Sequence, residues 1–163
     1  VVQEANAEAQ AKGVLVVAAA GNDGPDNDEY PTYPANLSLA FDNVLAVHAT
    51  DREDDRTSFS NFGKMSVHLG APGVDIMTTA RYREDVNFAY QPVRGTSASA
   101  AFVSLAAALV IAVGKQRNPG RDLTPAQVIA HLTDTADKFP QLTICSISGG
   151  RLNLEKAVTE PVP

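Results

Sequence analysis

The sequence predicts an α/β fold, a three-layer sandwich around a mainly parallel β-sheet. Three features indicate it: an alanine-rich helical segment that runs directly into an apolar strand, a second β-branched strand, and a long helix that is apolar on every side. A strand apolar on both faces is typical of parallel sheets covered by helices. No repeat, low-complexity tract or Gly/Ser linker divides the 163 residues, so we treat them as one unit.

The first half of the chain predicts one helix and four short strands. An alanine-rich stretch at 1–12 has helical composition and lacks the basic start and the apolar stretch of a signal peptide. The chain is therefore expected to begin inside a helix. The apolar run that follows is ended by Gly21. The predicted strands are 13–20, 43–49, 66–69 and 75–79, the last two on either side of a turn at 70–73.

The second half predicts three helices. The first starts at Thr96, is closed by Gly114 and is followed by an Asn-Pro-Gly stop signal at 118–120. Of its residues 98–113, 14 of 16 are apolar, which is shorter than the roughly 20 residues that span a bilayer. We therefore expect a helix buried in a protein core and no membrane insertion. Thr124 and Asn153 are predicted caps of two later helices.

Composition excludes some classes of function. The net charge is −6 and the pI about 4.9, and the 13 Lys and Arg residues are scattered, which argues against nucleic-acid binding because phosphates require clustered cations. Neutral and cationic substrates remain open. A single cysteine, Cys145, cannot form an intrachain disulfide and leaves the compartment undecided.

Ser97 is the candidate nucleophile. Gly95-Thr96-Ser97 is a common tripeptide, and taken alone its hydroxyls are more often helix caps. Here, however, Ser97 stands at the start of a wholly apolar helix. The unpaired N–H groups and the dipole of such a helix start favour developing negative charge, as an acyl-transfer reaction requires.

Asn22 is the candidate partner of Ser97. It follows Gly21 just beyond the end of a buried parallel strand, where open α/β sheets place their ligands. The alternative is that Asn22 only forms the turn, since Asn beside Gly is common in turns. A phosphate loop is discarded because Gly21 and Gly24 match neither a G-x-G-x-x-G nor a Walker pattern.

Taken together and in order, these segments resemble the subtilisin-like serine peptidases (subtilases), and the resemblance covers nearly the whole chain. It implies that residues 1–163 are the C-terminal part of a subtilisin-like catalytic domain whose N-terminal strands and helices are absent. The matching blocks are Gly13 to Gly24, Tyr30-Pro31-Thr32-Tyr33-Pro34-Ala35, Val44-Leu45-Ala46-Val47, Phe59-Ser60-Asn61-Phe62-Gly63, Gly70-Ala71-Pro72-Gly73-Val74, Gly95-Thr96-Ser97 and Gly150-Arg151-Leu152-Asn153.

The resemblance implies roles for particular residues. Ser97 corresponds to the nucleophile of an endopeptidase, and Asn22 to the side-chain donor that stabilises the oxyanion together with the Ser97 N–H. The wall of the primary specificity pocket is expected at Ala18, Ala19, Ala20 and Gly21, and a cis peptide bond before Pro31. A polypeptide substrate and an extracellular or cell-envelope location are implied by family habit.

The chain departs from the family pattern at two positions after the serine and lacks two of the family's motifs. Ala101 replaces the usual proline after the serine, and Leu105 replaces the usual glycine. In addition, His48, His68 and His131 match no family position, so each is expected to be structural or solvated, and no Asp-Ser-Gly or Asp-Thr-Gly segment is present.

The triad Asp and His are therefore expected from an N-terminal remainder, and the chain alone is predicted to be inactive. A non-catalytic binding or interaction module is the alternative function.

The segment 23–29 holds four carboxylates in seven residues. Oxygen ligands at such short spacing can bind Ca²⁺, and the family often uses stabilising calcium, so Asp23, Asp26 and Asp28 are candidate ligands. The segment lacks the D-x-D-x-D-G register, and a solvated loop is the alternative. Its charge could also favour basic substrate residues. No cofactor is expected to be required for catalysis.

Overall fold

A computed structural model describes residues 1–79 and 90–163. Its main sheet contains β1 (Val16–Ala19), β2 (Val44–Thr50), β3 (Leu69–Pro72), β6 (Asp137–Lys138) and β7 (Gly150–Arg151). They lie in the order β1-β2-β3-β7-β6, parallel except for β6, which pairs antiparallel with β7. A separate antiparallel pair joins β4 (Ile76–Thr79) to β5 (Tyr90–Val93). The predicted α/β class with a mainly parallel sheet is confirmed.

Two apolar cores lie on opposite faces of the sheet. The helices are α1 (Val2–Ala11), α2 (Thr96–Arg117), α3 (Pro125–Asp134) and α4 (Leu154–Thr159). Residues of α2, α3 and α4 pack on one face against Leu45 and Val47 of β2, and a 3₁₀ helix (Ala35–Leu39) covers Val44 and Ala46 on the other. All seven residues of β2 are buried, because successive side chains point alternately into the two cores.

The expectation that α2 is buried on every side is wrong for the described chain. Only one side of the helix meets the sheet and the other helices, so Phe102, Leu105 and Leu109 are 39%, 54% and 37% exposed. We call these three residues the apolar strip. By length and composition α2 could cross a membrane, but core helices of soluble proteins pass the same test.

The ends of several elements differ from prediction. The helix α2 does not end at Gly114, which lies inside it so close to Leu123 that a Cβ would approach Leu123 Cδ1 to 2.8 Å. Residues 70–72, predicted as a turn, belong to β3. The caps are confirmed: Thr124 Oγ1 accepts from Gln127 N, and Asn153 Oδ1 accepts from Lys156 N.

The cis peptide bond was predicted at the wrong proline. It lies between Tyr33 and Pro34, not before Pro31. Both sites are Tyr-Pro dipeptides, so the local sequence does not distinguish them. Their surroundings do, because Asn36 Oδ1 accepts from Thr32 N at 2.7 Å and closes a tight turn around the second dipeptide.

Candidate active site

Ser97 is presented at the first turn of α2. Gly95 precedes the helix with φ of +144°, a conformation that favours glycine, and Thr96 is buried while Ser97 is exposed. Among the described residues, no acceptor binds the Ser97 backbone N–H. Ser97 thus offers an accessible hydroxyl and a free N–H at the positive end of a 22-residue helix.

The structure brings Asn22 to the start of the same helix. Asn22 Oδ1 accepts hydrogen bonds from Thr96 N at 2.8 Å and from Thr96 Oγ1 at 3.1 Å. A backbone N–H can only donate, so this contact fixes the amide with its oxygen towards Thr96. Asn22 Nδ2 has no hydrogen-bond partner within the described part of the chain, and its side chain is exposed. The Asn22 amide therefore presents a free N–H donor beside Thr96, the residue that precedes Ser97.

Buried asparagines hold the loop that carries Asn22. Asn61 Oδ1 accepts from Asp23 N and Gly24 N, both at 2.9 Å, and Asn61 Nδ2 donates to Asn27 Oδ1 at 3.0 Å. Asn27 Nδ2 in turn donates to Ala20 O at 2.9 Å. No sequence pattern predicts a role for these residues, although Asn61 lies in the block 59–63 that carries the family resemblance.

Gly21 is required by this arrangement. Its φ is +119°, and a Cβ at this position would lie 2.5 Å from Asn61 Nδ2. Any side chain here would displace Asn61, which holds the backbone N–H groups of Asp23 and Gly24.

The four residues expected to line a specificity pocket face different ways. Ala18 and Ala20 are buried in the core that contains Leu37 and Val44, so their side chains do not face solvent. Ala19 and Gly21 are partly exposed. The accessible part of this segment is therefore the side chain of Ala19 and the backbone around Gly21.

The three histidines have structural surroundings. Burial lowers the pKa of His48 to about 4, with the nearby Arg56 charge adding to it and the Ala49 backbone opposing it. Burial also lowers the pKa of His68 to about 4, and its Nδ1 accepts from Ala46 N. His131 is buried and lies 2.8 Å from Ala157 O through Nε2.

The carboxylates of the acidic segment 23–29 do not gather around one point in the described structure. Asp28 Oδ1 accepts from Ser66 N and Ser66 Oγ, and its Oδ2 accepts from Met65 N, while Asp26 Oδ1 accepts from Asp28 N. Asp23 is exposed. Residues 1–79 and 90–163 contain no group of three or more His, Cys, Asp or Glu side chains arranged for a metal ion. Asp26 accepts from the backbone of its own segment and Asp28 accepts from residues 65 and 66, so both carboxylates already have hydrogen-bond partners, and calcium binding by this segment stays a prediction.

An apolar cavity of about 460 Å³ opens beside Ser97, between α2 and the β4–β5 pair. It lies against part of the apolar strip. Its lining residues are Ile76, Met77, Thr78, Val93, Ser97, Ala98, Ala101, Phe102 and Leu105.

Comparisons with known proteins found a matching family. A family model described as "Subtilase family" matches residues 1–153. Subtilisin BL from Lederbergia lenta is 35% identical over 155 residues, covering 95% of this chain and 50% of that protein. The extracellular basic protease of Dichelobacter nodosus is 38% identical over 129 residues, which is 78% of this chain and 20% of that protein.

Solved structures give the same relationship. That of the prenylagaramide maturation protease PagA superposes with a TM-score of 0.75 at 30% identity, covering 96% of this chain and 54% of that one. The A-subunit of the AB5 toxin from E. coli gives 0.75 at 26% identity, with the same coverage. The chain spans about half the length of Subtilisin BL and of these two structures.

Proposed function

The chain belongs to the subtilase family, and on that premise we propose that it is the nucleophile-bearing part of a serine endopeptidase. The observation that carries the proposal is the position of Asn22, whose amide oxygen binds Thr96 N and whose Nδ2 is free beside an exposed Ser97. A serine and two hydrogen-bond donors meeting at a helix start suit acyl transfer better than ligand binding.

In the proposed reaction, Ser97 Oγ attacks the carbonyl carbon of a peptide bond while its proton passes to an imidazole. Asn22 Nδ2 and the Ser97 N–H donate hydrogen bonds to the oxyanion that forms. The C–N bond then breaks, the imidazole protonates the leaving amine, and the acyl group remains on Ser97 as an ester. Water attacks this ester and gives a proton to the imidazole, which passes it to Ser97 Oγ as the ester bond breaks, releasing the acid and regenerating the Ser97 hydroxyl.

The imidazole and its orienting carboxylate are proposed to come from the N-terminal remainder of the same domain. None of the three histidines offers a free imidazole to Ser97. His48 is buried, His68 Nδ1 accepts from Ala46 N, and His131 Nε2 contacts Ala157 O. A serine hydroxyl without a neighbouring base is a poor nucleophile. The chain alone should therefore be inactive.

The apolar strip and the cavity beside Ser97 are the proposed docking surface for that remainder. Three large apolar side chains are exposed along one side of α2. Among the described strands, β1 pairs on one side only, with β2, so its other edge can accept a further strand. Covering both features would bury apolar surface and complete the sheet.

The substrate is proposed to be a polypeptide whose side chain approaches Ala19 and Gly21, with Ala18 and Ala20 supporting them from the core. Asp23, exposed beside Asn22, adds a negative field that favours basic substrate residues. The reaction needs no cofactor. An extracellular or cell-envelope location is proposed, since the related protease of Dichelobacter nodosus is extracellular by name.

Labelling with a fluorophosphonate, which modifies activated serines, tests the proposal. We expect no label on the chain alone and label on Ser97 once the N-terminal remainder is added. Ser97→Ala should remove the label, whereas Ser104→Ala, an exposed serine of the same helix, should retain it.

Label on Ser97 in the isolated chain would refute the claim of inactivity. A complex that forms but remains unlabelled would refute the peptidase proposal and favour a binding module.

A further inference from the structure

Two buried polar side chains, His48 and Thr50, occupy the end of β2 on the face opposite α2. Both are fully buried. Gly70 lies beside them on β3, and a Cβ built there would be 2.5 Å from His48 Cε1 and 2.8 Å from Thr50 Cγ2. The imidazole and the threonine therefore share the space over Gly70, which only a residue without a side chain leaves open.

Neither side chain is satisfied by protein. Within residues 1–79 and 90–163, His48 Nδ1, His48 Nε2 and Thr50 Oγ1 have no hydrogen-bond partner by distance and angle; the Ala49 backbone lies close enough to the His48 ring to affect its pKa but not in hydrogen-bond geometry. A neutral imidazole has one N–H donor and one acceptor nitrogen, and a hydroxyl can both donate and accept. Buried polar groups in folded proteins are nearly always paired, either with protein or with ordered water.

We propose that His48 and Thr50 form a binding site for buried water. Water can accept from the imidazole N–H and can donate to or accept from the Thr50 hydroxyl, which are the contacts that the described protein groups do not supply. A metal cation is disfavoured because the positive charge of Arg56 acts on His48. The neighbouring Arg56 Nη1 already donates to Thr57 O and Ser60 O.

This site supports the backbone that holds the nucleophile. Thr50 O accepts from Gly73 N at 2.9 Å, and Gly73 O accepts from Gly95 N at 2.8 Å. Two hydrogen bonds thus separate Thr50 from the glycine that precedes Thr96 and Ser97. A water bound to the Thr50 side chain would fix the strand end from which this connection starts.

The replacement Thr50→Val tests the site because valine has nearly the same shape and no hydroxyl. If the hydroxyl binds water, the melting temperature should fall by roughly 2–6 °C. If the hydroxyl lacks a partner, valine removes an unpaired polar group and the melting temperature should stay or rise, which would overturn the proposal. Thr135→Val is the reference for the change in melting temperature on losing a buried threonine hydrogen bond, since Thr135 Oγ1 donates to His131 O.

A measurement on the unaltered chain keeps the proposal testable if Thr50→Val fails to fold. Magnetisation transfer by NMR from long-lived water should reach the ring protons of His48. His131 is the reference, because its Nε2 contacts Ala157 O directly. Transfer to His48 well above that to His131 supports the site, and transfer no greater than the reference overturns it.

Discussion

The side-chain oxygen of Asn22 accepts a hydrogen bond from the backbone N–H of Thr96 across 74 residues of sequence. This contact orients the amide before any substrate arrives, so in the proposed reaction its donor end does not have to reorganise as the oxyanion forms. Preorganised donors of this kind commonly supply a large part of catalysis in acyl transfer.

Asn22→Ala should therefore lower kcat of the reconstituted enzyme by about 10²–10³ with a smaller change in KM. This is the effect of removing the same donor in subtilisin, and its size is taken over from that enzyme. Peptide hydrolysis measured with a chromogenic substrate checks it. Asn153→Ala, which removes a distant helix cap, should leave kcat unchanged. Equal losses in both variants would contradict the role of Asn22.

Asn61→Ala should destabilise the fold by roughly 2–4 kcal/mol. It leaves the N–H groups of Asp23 and Gly24 without their acceptor and takes the donor from Asn27. Urea denaturation measures the change. The exposed Asn118 provides the matched control, because Asn118→Ala should shift the transition little. Stability equal to that of the parent chain would show that the asparagine network is dispensable.

Stability should fall as the pH is lowered from about 6.5 towards 4. Burial lowers the pKa of both His48 and His68 to about 4, from 6.5, so the unfolded chain binds protons that the folded chain does not. At pH 5 each histidine should lower the free energy of unfolding by about 2 kcal/mol relative to neutral pH. Most carboxylates remain ionised at this pH, so the loss can be attributed to the histidines. Urea denaturation at several pH values measures this. A titration of either ring near pH 6.5, followed by NMR, would contradict it.

Leu105→Asp should weaken binding of the N-terminal remainder at least about tenfold while leaving the melting temperature of the chain nearly unchanged. Leu105 is more than half exposed in the chain alone, but a carboxylate would be buried without a partner in the proposed interface. Calorimetric titration gives the affinity. Arg121→Asp, beyond the end of α2, is the control and should bind as the parent does.

Chelation should not change the melting temperature. Asp26 already accepts a backbone hydrogen bond within its own loop, Asp28 accepts backbone and hydroxyl hydrogen bonds from residues 65 and 66, and Asp23 is exposed. Scanning calorimetry with and without EDTA measures the difference. A fall of several degrees, restored by added Ca²⁺, would identify a calcium site that these three carboxylates do not explain.

Local sequence patterns were sufficient where the chemistry is local. Thr124 and Asn153 predicted helix caps, and both are confirmed; the apolar run before Gly21 predicted a strand, which is present as β1 but shorter and with only Ala18 fully buried. Ser97 and Asn22 could be proposed as site residues because Ser97 stands at the start of an apolar helix and Asn22 just after a strand, and both boundaries are visible in the sequence.

Tertiary packing decided what the sequence left open. Gly114 lies against Leu123, a residue beyond the end of α2, and the cis bond before Pro34 stands in a turn closed by Asn36. The role of Asn61 depends on residues 34 to 40 positions away. No local pattern encodes such contacts, because the atoms that satisfy each other meet only in the folded chain.

Cys145 is the single cysteine of the sequence, and it is only 4% exposed. Burial raises the pKa of its thiol, partly offset by Arg56, so little reactive thiolate is present near neutral pH. A cysteine substituted for Arg121, an exposed residue beyond the far end of α2, would therefore react selectively with maleimides. A dye or surface attached there would stand roughly 30 Å from Ser97, given the rise of 1.5 Å per helical residue.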